Sequence, residues 1–118
     1  MKATIYHNPR CSKSRQTLQI LQEKDLQTQV VEYLKEPPSR ETLEQILLQL
    51  QMEPRELMRK NETLYKELKL DDPTLSRDAL ISAMLDNPVL IERPIVIIDD
   101  QKAALGRPPE NVLRLIES

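Results

Sequence analysis

The chain of 118 residues has one cysteine, one histidine, one glycine, no tryptophan and no phenylalanine. Each scarcity excludes something. A single cysteine cannot form an intramolecular disulfide, and with one histidine it falls short of the three or four ligands of a usual zinc site, so no metal is expected. Without Trp or Phe the core has to be aliphatic, and platforms for stacking bases are unlikely. A formal charge of −2 gives no overall attraction to nucleic acid or anionic membrane, so any anion chemistry depends on local placement of cations. No apolar run approaches the roughly 20 residues that span a bilayer, and polar His7-Asn8 ends the first apolar stretch before a signal peptide develops. A cytoplasmic protein with no membrane and no nucleic-acid partner is expected.

The residues that are present follow an order. Ala3 to Tyr6 is a short β-prone run, and the loop His7-Asn8-Pro9-Arg10-Cys11 follows it. From Ser12 to about Glu23 the pattern turns helical, with Ser12 or Ser14 near its start and Leu18 and Leu21 facing inward. Val30, Val31 and Tyr33 mark a second strand over Thr28 to Leu34. Strand, helix, strand with short links implies a parallel pair and a right-handed crossover. Pro37-Pro38 breaks the chain, Ser39 can cap, and Leu43, Ile46, Leu47 and Leu50 fall at i, i+3, i+4 and i+7 of a helix. Shorter helices are expected from Pro54 with Leu57 and Met58, from Asn61 through Leu64 and Leu68, and from Ser76 through Leu80, Ile81, Met84 and Leu85. Pro94 to Ile98 and Lys102 to Leu105 read as an antiparallel hairpin turning at Asp99-Asp100-Gln101. Pro108-Pro109 then open a last helix using Val112, Leu113 and Ile116. The order predicts one α/β domain over residues 1–118, a thioredoxin or glutaredoxin-like β-α-β…β-β-α core with a helical insertion at about 39–86 between its halves.

Cys11 carries the chemistry. A thiol at a helix N-terminus faces the unpaired N–H groups of the first turn and the positive end of the dipole, and both favour thiolate. The dipole contributes about 0.3–1 kcal/mol, whereas moving a free thiol from about 8.5 to below 7 takes about 2 kcal/mol, so cations have to help. Arg10, Lys13 and Arg15 flank the cysteine, and His7 is placed to offer a hydrogen bond or a charge from across the loop. A lone cysteine is more often a buried small hydrophobe, but polar Asn8, Arg10, Ser12 and Lys13 are not the surroundings of an inert thiol. Ser14 stands where a dithiol motif would put its second cysteine, so a mixed disulfide on Cys11 has to be resolved by an outside thiol. Thr17 stands where a Cys-x5-Arg phosphatase loop requires arginine, which argues against that mechanism.

Tyr6-His7-Asn8-Pro9-Arg10-Cys11, Ser14-Arg15, Tyr33-Leu34 and Pro37-Pro38 together resemble the glutaredoxin-coupled arsenate reductase (ArsC) family. The resemblance continues in order through Leu57-Met58-Arg59-Lys60-Asn61, Tyr65 to Leu70, Asn87-Pro88, Arg93-Pro94-Ile95-Val96 and Gly106-Arg107-Pro108. The basic loop and the early end after the last helix look like a shorter, chromosomal-type member. The resemblance implies that Cys11 attacks arsenate or a similar oxyanion, that Arg59, Arg93 and Arg107 hold it, and that His7 helps to stabilise the thiolate. Asn8, Ser14, Arg15 and Pro94 would support the site, and the Arg93–Pro94 peptide would be cis. Glutathione would be a co-substrate, glutaredoxin would supply the second thiol, and no cofactor would be tightly bound. Gly106 marks either a special backbone angle or a close approach beside Arg107. Two other functions suit the same residues: glutathione-dependent thiol transfer without arsenate, and a non-catalytic Spx-like redox regulator that contacts transcription machinery.

Overall fold

Alternating burial in Lys2–Tyr6 makes β1, with Ala3 and Ile5 inside. After α1 (Ser12–Glu23) comes β2 (Gln27–Val31), parallel to β1 with Ile5 opposite Val30. β3 (Ile95–Ile98) is buried at every position, as a strand covered on both faces must be, and lies antiparallel to β1 with Val96 opposite Ile5. β4 (Lys102–Leu105) pairs antiparallel with β3, completing the order β2-β1-β3-β4. Asp99 and Asp100 both take left-handed angles, φ 52° and 56°, in the turn between them, a conformation that short polar side chains tolerate. A 3-10 turn at Pro109–Val112 leads into α5 (Leu113–Glu117). Ala3, Ile5, Leu21, Val96, Ile98 and Val112 form the buried centre, with Leu18, Ile20, Leu26, Leu115 and Ile116 packed against it. The core is aliphatic, as the missing aromatics require, and the arrangement is thioredoxin-like.

This computed structural model describes residues 1–117. They divide into two compact units, one made of Met1–Glu36 and the chain from Arg93 onward, the other of Pro37–Glu92. The second unit is helical: α2 (Arg40–Leu50), a 3-10 turn at Pro54–Leu57, α3 (Thr63–Glu67), α4 (Arg77–Asp86) and a 3-10 turn at Pro88–Leu90. Ser39 and Ser76 cap α2 and α4 as expected, accepting from the N–H groups of Thr42 and Ala79. Leu43, Ile46 and Leu47 are buried along α2, and Leu80, Ile81 and Met84 along α4. The Arg55 side chain donates to the carbonyls of Leu70 and Asp72, tying down the segment between α3 and α4.

Three boundaries differ from expectation. β2 ends at Val31, short of Leu34, and Tyr33 is buried in the turn beyond it. Glu62, not Asn61, precedes α3. Helical structure in the insertion continues to Leu90, past residue 86.

Candidate active site

β1 delivers the chain to the site, and a small set of hydrogen bonds shapes the loop after it. The Asn8 side-chain carbonyl accepts from the Arg10 N–H and its main-chain carbonyl from the Cys11 N–H, both at 3.0 Å. The Asn8 N–H donates to Ser14 Oγ at 3.0 Å, and Arg15 Nη1 donates to the Pro9 carbonyl at 2.9 Å. Asn8 and Arg15 thus brace the turn that presents Cys11.

Cys11 occupies the N-cap position of α1, where a side chain meets the unpaired N–H groups of the first turn. The first turn holds no acidic residue to compete for them. Half-burial of the thiol pushes its pKa up. Against that, the N–H groups of Ser14 and Lys13 and the charges of Arg93 and Arg107 favour the anion, and together they hold the thiol below its ordinary value. Arg107 Nη1 lies 3.9 Å from Cys11 Sγ and 3.3 Å from the Arg93 carbonyl that it also bonds. Arg93 and Arg107, 14 residues apart in sequence, therefore converge on Cys11 through the hairpin of β3 and β4.

His7 makes a hydrogen bond across the loop, to Ser14. It is buried, and its Nδ1 is hydrogen-bonded to Ser14 Oγ at 2.6 Å. Burial lowers its pKa, Glu32 opposing and Arg15 adding to the effect, so the imidazole is neutral at pH 7 and brings no charge to the loop. Ser14 lies between His7 and Cys11: its hydroxyl binds His7 and Asn8, and its N–H faces the sulfur. Sequence reasoning put Ser14 among the supporting residues but did not see that it and Thr17 are fully buried. Their signal was spacing: Ser14, Thr17 and Leu21 fall at i, i+3 and i+7 on one face of α1.

Thr17 explains the only glycine. Gly106 does not have a positive φ, so the backbone-angle alternative is excluded. A Cβ there would collide with Thr17 Oγ1 and lie 2.8 Å from Pro94 Cγ, so close approach is the reason. The Gly106 N–H donates to the Pro94 carbonyl at 2.9 Å, linking β4 to the loop that carries Arg93. The Arg93–Pro94 peptide is cis, as expected, and Arg107–Pro108 is cis as well. Gly106→Ala is expected to overpack this contact at a cost of about 1–3 kcal/mol, lowering Tm by roughly 4–12 °C in a thermal melt. An unchanged Tm would contradict the close packing.

Arg59 belongs to the helical unit. Its N–H donates to the Leu90 carbonyl at 2.7 Å, next to the bridge between Met58 and Ile91. Its guanidinium pairs with Glu62 at 2.7 Å, with both side chains about three-quarters buried. Glu62 was not foreseen as its partner. Among the described residues no group of three or more His, Cys, Asp or Glu could hold a metal ion, and no helix is long and apolar enough to cross a membrane.

A model of the ArsC family matches residues 6–115. The chain is 56% identical over 113 residues to Uncharacterized protein YfgD of Escherichia coli (strain K12), covering 95% of this chain and 94% of that one. It is 50% identical over 109 residues to a protein of Neisseria meningitidis serogroup A named arsenate reductase, covering 92% of each. Among solved structures, arsenate reductase from Vibrio cholerae superposes with a TM-score of 0.93 at 51% identity over 97% of both chains.

Proposed function

The chain belongs to the ArsC family, and from that premise we propose that it reduces arsenate to arsenite, with Cys11 as nucleophile and outside thiols as the source of electrons. One observation carries the reading: Cys11 sits at a helix N-cap with two first-turn N–H groups and two guanidinium groups favouring its anion. The same groups suit a tetrahedral oxyanion, because the Arg93 and Arg107 forks offer donors to several oxygens at once. Arg59, the third arginine that the family resemblance implies, belongs to the helical unit and is paired there with Glu62.

In the first step the Cys11 thiolate attacks arsenic, and one oxygen leaves as water after protonation. An outside thiolate then attacks the Cys11 sulfur. The S–As bond breaks, its electron pair stays on arsenic, arsenite departs, and Cys11 is left in a mixed disulfide. A second outside thiol reduces that disulfide and restores the thiolate. Two thiols thus become one disulfide as As(V) becomes As(III), and the only cysteine of the chain is not consumed. Glutathione and glutaredoxin are the proposed donors, with no tightly bound cofactor. Neutral His7 and Ser14 hold the loop and the Ser14 N–H against the sulfur.

Phosphate suits the same cradle but accepts no electrons, so it is expected to compete without reacting. Purified protein given arsenate, glutathione and glutaredoxin should release arsenite over many turnovers, and leaving out the thiols should stop it. Arsenite no faster than in an enzyme-free control would refute the proposal.

A further inference from the structure

Thr17 is fully buried on the face of α1 that meets the chain just after β4. A position of that kind suits an aliphatic side chain, because a hydroxyl taken out of water is destabilising unless it is hydrogen-bonded. Here it is bonded. Thr17 Oγ1 donates to the Lys13 carbonyl at 2.8 Å, one helical turn back. The Gly106 carbonyl stands 3.5 Å from the same oxygen, longer than a good O–H···O bond and in contact with it. One hydroxyl thus fits between two carbonyl oxygens, the first in the opening turn of α1 and the second at the end of β4.

Both neighbours of that hydroxyl lead to Cys11. The Thr17 side chain and Pro94 Cγ together fill the space that a Cβ at Gly106 would need, so Gly106 is seated directly on Thr17. The next residue is Arg107, whose Nη1 lies 3.9 Å from Cys11 Sγ and donates to the Arg93 carbonyl at 3.3 Å. On the helix side, Lys13 supplies one of the N–H groups that favour the Cys11 anion. The depth to which Gly106 can settle against α1 therefore governs how near the Arg107 guanidinium comes to the sulfur. An oxygen allows the short 2.8 Å contact with the Lys13 carbonyl, whereas a carbon in its place needs about 3.3 Å or more.

We propose that Thr17 is a positioning residue for the chemistry at Cys11: its hydroxyl sets how closely Gly106, and Arg107 after it, approach the first turn of α1. The inference rests on the reading of Cys11 as a nucleophile. Thr17 acts through Gly106 and Arg107 and not on the sulfur itself. Replacing the hydroxyl by a methyl, as in Thr17→Val, pushes the two carbonyls apart and draws Arg107 back from the thiolate.

The test needs no arsenate. Cys11 alkylation by iodoacetamide is followed against pH, beside a thermal melt, in the wild type, Thr17→Val and Thr17→Ser. Thr17→Val is expected to raise the midpoint by about 0.3–0.6 pH unit, the loss when a charge about 4 Å away retreats by about 0.5–1 Å at an effective dielectric constant of about 20. Thr17→Ser, which loses the methyl but keeps the hydroxyl, should lower Tm and leave the midpoint within about 0.1 pH unit of the wild type. In an Arg107→Ala background Thr17→Val should add no further shift, since the two changes act along one route. Gly106→Ala widens the same contact from its other side and should raise the midpoint as well, which keeps the test open if Thr17→Val does not fold. An unmoved midpoint in Thr17→Val with a lowered Tm would overturn the proposal, because the role would then be structural alone. So would a shift of equal size in the Arg107→Ala background, or an unmoved midpoint in Gly106→Ala. The wild-type midpoint tests the reading of Cys11 and the differences between variants test Thr17, so the two fail separately.

Discussion

Cys11→Ser protein is expected to form no arsenite above background, a loss of at least about 10³-fold, while folding as well as the wild type. The two halves of that expectation have different causes. Serine at position 11 keeps an oxygen at the N-cap of α1, and serine is among the preferred residues there, so the helix loses nothing. Its hydroxyl, however, is not ionised near neutral pH, and the groups that favour a thiolate cannot make it an alkoxide. Arg93, Arg107 and the N–H groups of Lys13 and Ser14 remain, so oxyanion binding should survive the loss of chemistry. Arsenite release, a thermal melt and phosphate binding by calorimetry would separate the three. Activity retained in the serine variant would remove Cys11 from the mechanism.

Arg107→Ala should lower kcat/KM for arsenate by about 10–100-fold, the worth of one or two charge-assisted hydrogen bonds, and Arg93→Ala by a similar factor. The pH profile should move too, in a direction fixed by the chemistry. Thiolate is the reactive form, and both guanidinium groups hold the Cys11 pKa below its ordinary value. Removing either raises that pKa, so the rising limb of kcat/KM against pH shifts to higher pH. Arg107→Lys should restore most of the pH profile but less of the affinity, because an ammonium supplies charge without the guanidinium fork. Kinetics across pH 5 to 9 with all three variants would check this. A lower kcat/KM with an unmoved limb would mean that the arginines bind the oxyanion without tuning the thiol.

The parts of the fold set by local chemistry were legible in the sequence. Aliphatic β1 and β3, the Ser39 and Ser76 caps and the leucine spacing of α2 each depend on residues close together in the chain. The misjudged parts depend on contacts far apart. Tyr33 looked like part of a strand because aromatic and β-branched residues run up to it, yet its burial comes from packing beyond the end of β2. The sequence did not show that Thr17 is buried against Gly106, 89 residues further along the chain.

The candidate site divides in the same way. Cys11 and its helix N-terminus were readable from residues 6 to 15, but no local pattern tied Arg93 and Arg107 to it; family resemblance did. Nor did the sequence show that His7 is neutral, since that follows from burial, or that its partner is Ser14 and not the sulfur.

Everything proposed for the site depends on Cys11 being ionised more readily than a free thiol. The direct measurement is the rate of Cys11 alkylation by iodoacetamide as a function of pH, followed by mass spectrometry in the wild type and in Arg107→Ala. The account predicts a midpoint clearly below the roughly 8.5 of a free cysteine, and a higher midpoint in the variant. A wild-type midpoint at or above about 8.5 would contradict it, because the first-turn N–H groups and the two arginines would then not be overcoming the cost of burial.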